Sequence, residues 1–294
     1  MPCNRISRAF FHLLDYFLFS VSNKKNILLK EMKKKDTKLN ILQKQLRKGA
    51  DPNLKDLKDR KEYTALHYAA ERGRLDICQL LLNNRGDPNI QDFLKRTALH
   101  FAALRGTLDV CQLLLSNRAD PNIKDLNKKT ALHYAAAIGT LDVCQLLLSN
   151  GADLNLKDSS KQTALHYAAK KGTLDVCQLL LSNWADPNLK DSSKKTALHY
   201  AAEEGTLDIC QLLLSKGADP NVEGSVQFET TLVIALFFFH IKKRFAIAKY
   251  ILENDTLYYS LVTPIDAKIM YQERLREILH YTRKLPPKKN GFGD

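Results

Sequence analysis

Thr130-Ala-Leu-His-Tyr-Ala-Ala-Ala-Ile-Gly139, running straight into Thr140-Leu-Asp-Val-Cys-Gln-Leu-Leu-Leu148, decides the fold of this chain. Its first four letters recur at Thr64, Thr97, Thr163 and Thr196, so five copies stand 33 residues apart. A fixed period of that length marks a stack of small units, each completed only by burying its apolar face against its neighbours. Within a unit the threonine is suited to be an N-cap, because its hydroxyl can satisfy a free N–H of the first helical turn. The Ala135-Ala136 pair and its copies at 69/70, 102/103, 168/169 and 201/202 keep the first helix slim enough for close stacking. Gly139, like Gly73, Gly106, Gly172 and Gly205, ends that helix where a left-handed backbone is needed. The run Leu-Asp-(Val/Ile)-Cys-Gln-Leu-Leu-Leu predicts a second helix, and a turn with Asp-Pro-Asn then leads into a short extended hairpin.

The period and the Thr-Ala-Leu-His string closely resemble the ankyrin repeat, strongly over residues 64–221 and weakly over the rest of 27–283. The resemblance implies an all-α helical solenoid with short β-hairpin turns, presenting a long concave face to another protein. Three departures stand out. Ala follows the capping threonine where Pro is usual, which helix formation tolerates. The tip glycine of the hairpin is replaced by Lys95, Lys128, Lys161 and Lys194, and the glycine after the second helix by Arg85, Arg118 and Trp184. Non-glycine residues held left-handed cost about 1 kcal/mol each, so looser hairpin tips are expected.

Net charge is +13 and unevenly spread. Residues 1–50 carry 12 basic and 3 acidic residues, whereas 51–221 carry 22 and 21. The array is therefore nearly neutral, and the excess charge lies off it without interleaved aromatics, which argues against nucleic-acid binding. Cys78, Cys111, Cys144, Cys177 and Cys210 share the 33-residue period. Stacked neighbours sit roughly 10 Å apart, and a disulfide needs Cα atoms within about 7 Å. These thiols should stay reduced and buried, as in a reducing compartment. No CxxC or HxxxH spacing gathers metal ligands, so neither a metal nor a cofactor is expected.

The ends carry less signal. Residues 1–26 combine Arg5 and Arg8 with an apolar run from Ala9 to Val21, too short for a bilayer span of about 20 residues. Helical spacing of Phe10, Leu13, Leu14, Phe17, Leu18 and Val21 favours a capping helix or leader. A signal peptide and a membrane-surface helix stay open as alternatives, with Asp15 and His12 arguing against the first. Residues 27–55 form a basic partial repeat, since Leu39, Ile41, Gln43 and Leu46 match Leu75, Ile77, Gln79 and Leu82 at an offset of 36. Its Lys33-Lys34-Lys35 cluster is either a solvated helix face or an import or anion-binding patch. Five full units occupy 56–221, a degenerate repeat and cap 222–284, and a flexible tail 285–294.

The five motif histidines invite a catalytic reading, yet no nucleophile or carboxylate pair accompanies them. A local structural hydrogen bond across the repeat boundary is the expected role. The aspartates Asp76, Asp109, Asp142, Asp175 and Asp208 stand where a second helix begins and complement its dipole. No phosphate loop or nucleophile elbow appears, and an enzyme is not expected.

Comparing the units with one another shows which positions differ. They are the tip pairs Phe93-Leu94, Leu126-Asn127, Ser159-Ser160 and Ser192-Ser193, and the first-helix pairs Glu71-Arg72, Leu104-Arg105, Ala137-Ile138, Lys170-Lys171 and Glu203-Glu204. The resemblance places these on the concave face. Phe93, Leu94, Leu104, Leu126 and Ile138 could form an apolar centre. Arg96, Lys124, Lys129, Lys157, Lys170, Lys171, Lys190 and Lys195, with the tip lysines, add a basic strip, and Glu203 and Glu204 turn the far end acidic. The expected partner is a protein with an apolar patch flanked by acidic residues. A cytoplasmic adaptor is the leading reading. The alternatives are a nuclear regulator of a transcription factor, on Lys33–Lys35, and a membrane-tethered or exported effector, on Ala9–Val21.

Overall fold

The computed structural model describes residues 27–34, 37–57, 60–220 and 222. The leader expected over 1–26, the degenerate repeat and cap over 222–284 (Val222 apart) and the tail over 285–294 lie outside the described residues. Twelve helices follow one another among the described residues. α1 (Ile27–Met32) and α2 (Leu39–Arg47) come first. Five pairs follow: α3 (Ala65–Glu71) with α4 (Leu75–Asn83), α5 (Ala98–Arg105) with α6 (Leu108–Ser116), α7 (Ala131–Ile138) with α8 (Leu141–Ser149), α9 (Ala164–Lys171) with α10 (Leu174–Ser182), and α11 (Ala197–Glu204) with α12 (Leu207–Ser215).

First helices stack on first helices and second on second, with α1 against α3 and α2 against α4. The first-helix row packs more tightly than the second-helix row. Its alanine pairs, all fully buried, let backbones approach, whereas Leu81, Leu114, Leu147, Leu180 and Leu213 hold the second helices further apart. Closer spacing along one row bends the stack toward it, so the first helices and the hairpin tips line the inner side.

The junctions repeat as faithfully as the helices. Each capping threonine donates its backbone N–H to Nδ1 of the histidine three residues on, at 3.0–3.2 Å. Nε2 then faces a carbonyl of the following unit: Arg96, Lys129, Gln162 and Lys195 for His67, His100, His133 and His166, at 3.0–3.2 Å. An N–H on one side and a carbonyl on the other fix the neutral ring with its proton on Nε2. The histidines thus hold unit to unit, as the sequence led us to expect. Beyond the second helix, an asparagine amide clamps onto the next unit. Asn53, Asn89, Asn122 and Asn188 donate to the carbonyls of Arg85, Arg118, Gly151 and Gly217 at 2.9–3.0 Å.

The hairpins differ from expectation. No strand forms among the described residues. From Asp92 onward each tip closes instead by two short-range bonds, as in Asp125 N–H to Lys129 O and Lys128 N–H to Asp125 O, both 2.9 Å, whereas in the first tip Asp56 N–H reaches Tyr63 O at 2.9 Å. One further bond ties adjacent tips: Leu126 N–H to Leu94 O, Ser159 N–H to Asn127 O and Ser192 N–H to Ser160 O, each 2.8 Å. A single bond per junction is too little for a ladder.

Candidate functional site

Every tip of the inner side buries a carboxylate. Asp56, Asp92, Asp125, Asp158 and Asp191 are 4–5% exposed. Tyr134, Tyr167 and Tyr200 donate their hydroxyls to Asp125, Asp158 and Asp191 at 2.6–2.7 Å. Backbone N–H groups of Lys129, Gln162 and Lys195 reach the other oxygen at 2.8–2.9 Å. For Asp191, burial pushes the pKa up, but these bonds together with those from Gln162 and Ser193 outweigh it, so the carboxyl titrates below its ordinary value.

Asp92 is served differently. The aromatic in register with it is Phe101, which has no hydroxyl, and Arg96 substitutes for it. The Arg96 Nε and Nη2 donate to Asp92 Oδ2 at 3.0 and 2.8 Å. Nη2 also donates to the Tyr63 hydroxyl at 3.0 Å, and the guanidinium lies 4.3 Å from the centre of the Phe101 ring. Asp56 takes the Lys33 ammonium at 2.6 Å.

The variable side chains are those of the tips and of the ends of the first helices. None of them is buried. Phe93 and Leu126 are the most open of the apolar set, at 62% and 56%, with Leu94, Leu104 and Ile138 at 39–43%. Arg105, Lys124, Asn127, Lys170, Lys171, Lys190 and Glu204 are exposed, whereas Glu71, Ala137 and Lys157 are half-buried. Five cationic candidates have intramolecular work, one of them Lys170, whose ammonium lies 5.7 Å from the centre of the Tyr200 ring. Arg72 donates to the carbonyls of Met32, Lys34 and Lys33, fastening α1 to α3. Arg96 serves Asp92, and Lys195 pairs with Glu203. Lys129 lies over the rings of Tyr167 and Tyr134, 4.7 and 5.8 Å from their centres.

The sequence matches the family model for ankyrin repeats in three copies, over residues 32–125, 132–224 and 171–260. Together the matches cover well over half of the chain. The chain belongs to the ankyrin-repeat family. A comparison with curated proteins gives no match. Ankyrin repeats are protein-interaction modules, and in this ankyrin array Phe93, Leu94 and Leu126 lie in tips while Leu104 and Ile138 lie at the ends of first helices.

The expected left-handed positions of the ankyrin units are also where they should be. Lys95, Lys128, Lys161 and Lys194 have φ of 58–59°, and Arg85, Arg118 and Trp184 have φ of 67–68°. Trp184, the only tryptophan, is 89% exposed and borders a shallow recess with Leu181, Pro187 and Lys216. Sequence reasoning noted it as a departure from glycine but not as an exposed apolar surface, and the left-handed residue after a helix was the signal available. Leu57, 78% exposed, was missed because three extra residues hide its equivalence to Phe93.

Of the basic cluster, Lys33 is spent on Asp56 and Lys34 on Glu31. The five periodic cysteines are buried free thiols, and burial pushes each up to about 12. They pack as small apolar groups and are poor nucleophiles. Among the described residues no group of three His, Cys, Asp or Glu side chains is placed to hold a metal, and no helix is long and apolar enough to cross a membrane.

Proposed function

We propose that this chain is a non-enzymatic adaptor whose ankyrin array binds a partner protein on its concave face. One observation carries the reading. Of ten exposed large apolar side chains among the described residues, six belong to the tips (Leu57, Phe93, Leu94 and Leu126) or to the ends of first helices (Leu104 and Ile138). Clustered exposed apolar groups at the centre of a polar rim are the usual seat of binding energy. Lysines surround this centre, so the partner is a protein with an apolar patch flanked by acidic residues. Buried reduced thiols suit the cytosol. Lys33 and Lys34 have partners within the chain, which weakens the support for nuclear import.

A comparative pull-down with the full-length chain tests the reading. The baits are wild type and a triple variant, Leu104→Glu, Ile138→Glu and Lys171→Glu, with circular dichroism establishing equal helicity. A partner held by wild type and lost by the variant is the expected result. The same partners on both baits would remove the concave face from consideration.

A further inference from the structure

Lys95, Lys128, Lys161 and Lys194 stand at one position of successive tips, all exposed, and the reading above counts them only as part of a basic strip. Their backbone is nearly invariant, with φ of 58–59°. Each is pinned by its own N–H, which donates to the carbonyl of Asp92, Asp125, Asp158 or Asp191 at 2.9–3.1 Å. The bonds between adjacent tips keep the row in register. None of the four forms an ion pair among the described residues. The carboxylate of each tip is turned inward and satisfied there by tyrosine, arginine or backbone N–H. Charge is thereby separated within every tip, with the anion buried and the ammonium outside. The result is four cations in a line, unpaired among the described residues, one per repeat, spaced by about the 10 Å of packed helices.

We infer that this row is a rail for an extended acidic segment of a partner protein, in polyproline-II conformation, with Asp or Glu at every third position. The inference rests on the protein-binding reading for the class of partner, but not on the concave apolar centre. The spacing selects the conformation. Polyproline II has three residues per turn and rises about 3.1 Å per residue, so every third side chain returns to one edge after about 9.3 Å. A β-strand puts residues three apart on opposite faces. A helix returns to one face after seven residues, about 10.5 Å, but an amphipathic helix also needs an apolar seat. The last two tips offer Ser159-Ser160 and Ser192-Ser193, and Lys157 and Lys190 beside them. That half of the rim is polar and suits a solvated backbone, while Phe93, Leu94 and Leu126 leave an apolar foothold at the other end.

Fluorescence anisotropy with the full-length chain at low salt tests this. The probes are labelled (Glu-Pro-Pro)4, a block peptide of the same composition (four Glu followed by eight Pro), a helical peptide with Glu at every seventh residue, and a single-stranded 12-nucleotide DNA. The period-three peptide should bind at least about tenfold more tightly than the other three. A fourfold variant, Lys95, Lys128, Lys161 and Lys194 each to Gly, should lose that preference while keeping its helicity, because glycine accepts this backbone without strain. Equal binding of the block peptide would overturn the inference, as would tighter binding of the helical peptide or the DNA, or an unaltered preference in the glycine variant. Because the pull-down variant leaves the tip lysines intact, loss of its partner together with equal peptide binding would sink the rail and spare the concave centre. The converse pattern would do the reverse.

Discussion

Asp92 lacks the tyrosine hydroxyl that its counterparts use; the Arg96 side chain serves its Oδ2, while the Arg96 backbone N–H donates to Oδ1 at 2.7 Å. Replacing Arg96 by methionine should therefore destabilise the array by about 2–3 kcal/mol, since it leaves one oxygen of a buried carboxylate without a donor. Adding Phe101→Tyr to that variant should recover a large part of the loss, since Tyr134 shows where the hydroxyl would fall. The same change in wild type should do little, because Asp92 is already satisfied. Urea unfolding of the two single variants and the double variant reads this coupling, and strict additivity would show that the two residues act independently. A second residue-scale expectation concerns Lys128. Its φ of 59° is one that glycine adopts freely. Lys128→Gly should raise the urea midpoint by the equivalent of about 0.5–1 kcal/mol, the left-handed strain relieved less the entropy glycine gains on unfolding. An unchanged or lower midpoint would mean that the lysine side chain contributes to the tip.

Among the elements, the turn between the two helices of a unit is where local conformation and stacking meet. Gly139 has φ of 88°, and a Cβ there would fall 2.4 Å from Cγ2 of Thr173 in the next unit. Gly151 has nearly the same backbone, φ of 83°, and a Cβ there would meet nothing within 4 Å. Gly151→Ala should cost about 1 kcal/mol, the conformational term alone. Gly139→Ala should cost about 1–3 kcal/mol more, because the clash forces neighbouring units apart. Equal midpoints in urea would mean that the stack yields at that contact. Much of this level was legible in the sequence: both helices of each unit, their threonine caps, the left-handed lysines and the buried thiols all follow from letters repeated at a fixed period. What was not legible depends on where a side chain travels between units. Arg72 and Arg96 look like exposed cations on a variable face, yet one reaches carbonyls about forty residues back and the other replaces a missing hydroxyl. The asparagine clamp was equally hidden, as was its weak point. Asn155, which follows Leu154 rather than proline and faces the Trp184 unit, accepts the N–H of Asp186 at 3.3 Å, against 2.7–2.8 Å elsewhere.

At the scale of the whole array, the histidine junctions make stability depend on pH in a direction that can be worked out. His67, His100, His133 and His166 are held below the ordinary imidazole value first by burial, partly offset by the carbonyl each one faces. His67 falls from 6.5 to about 4. In the unfolded chain these rings gain a proton near pH 6.5, whereas in the stack they resist it, so the unfolded state binds more protons throughout the interval. For His67 stability is then full above about pH 6.5 and is lost progressively as pH falls toward 4, and the other three rings act in the same direction. For His67 the whole interval is worth about 3 kcal/mol. Asp191, with its lowered value, adds a further loss only at more acidic pH. The damage should begin at the N-caps, because a protonated Nδ1 meets the threonine N–H as donor against donor, while Nε2–H keeps its carbonyl. Since each ring bridges two units and each unit is stable only through its neighbours, the junctions should fail together rather than one by one. Urea midpoints at pH 7.0, 5.5 and 4.5 should fall steadily, and His133→Gln, which cannot take up the proton, should flatten the slope while lowering the midpoint at pH 7.0. A midpoint independent of pH between 7.0 and 4.5 would show that the buried rings are not what couples the units.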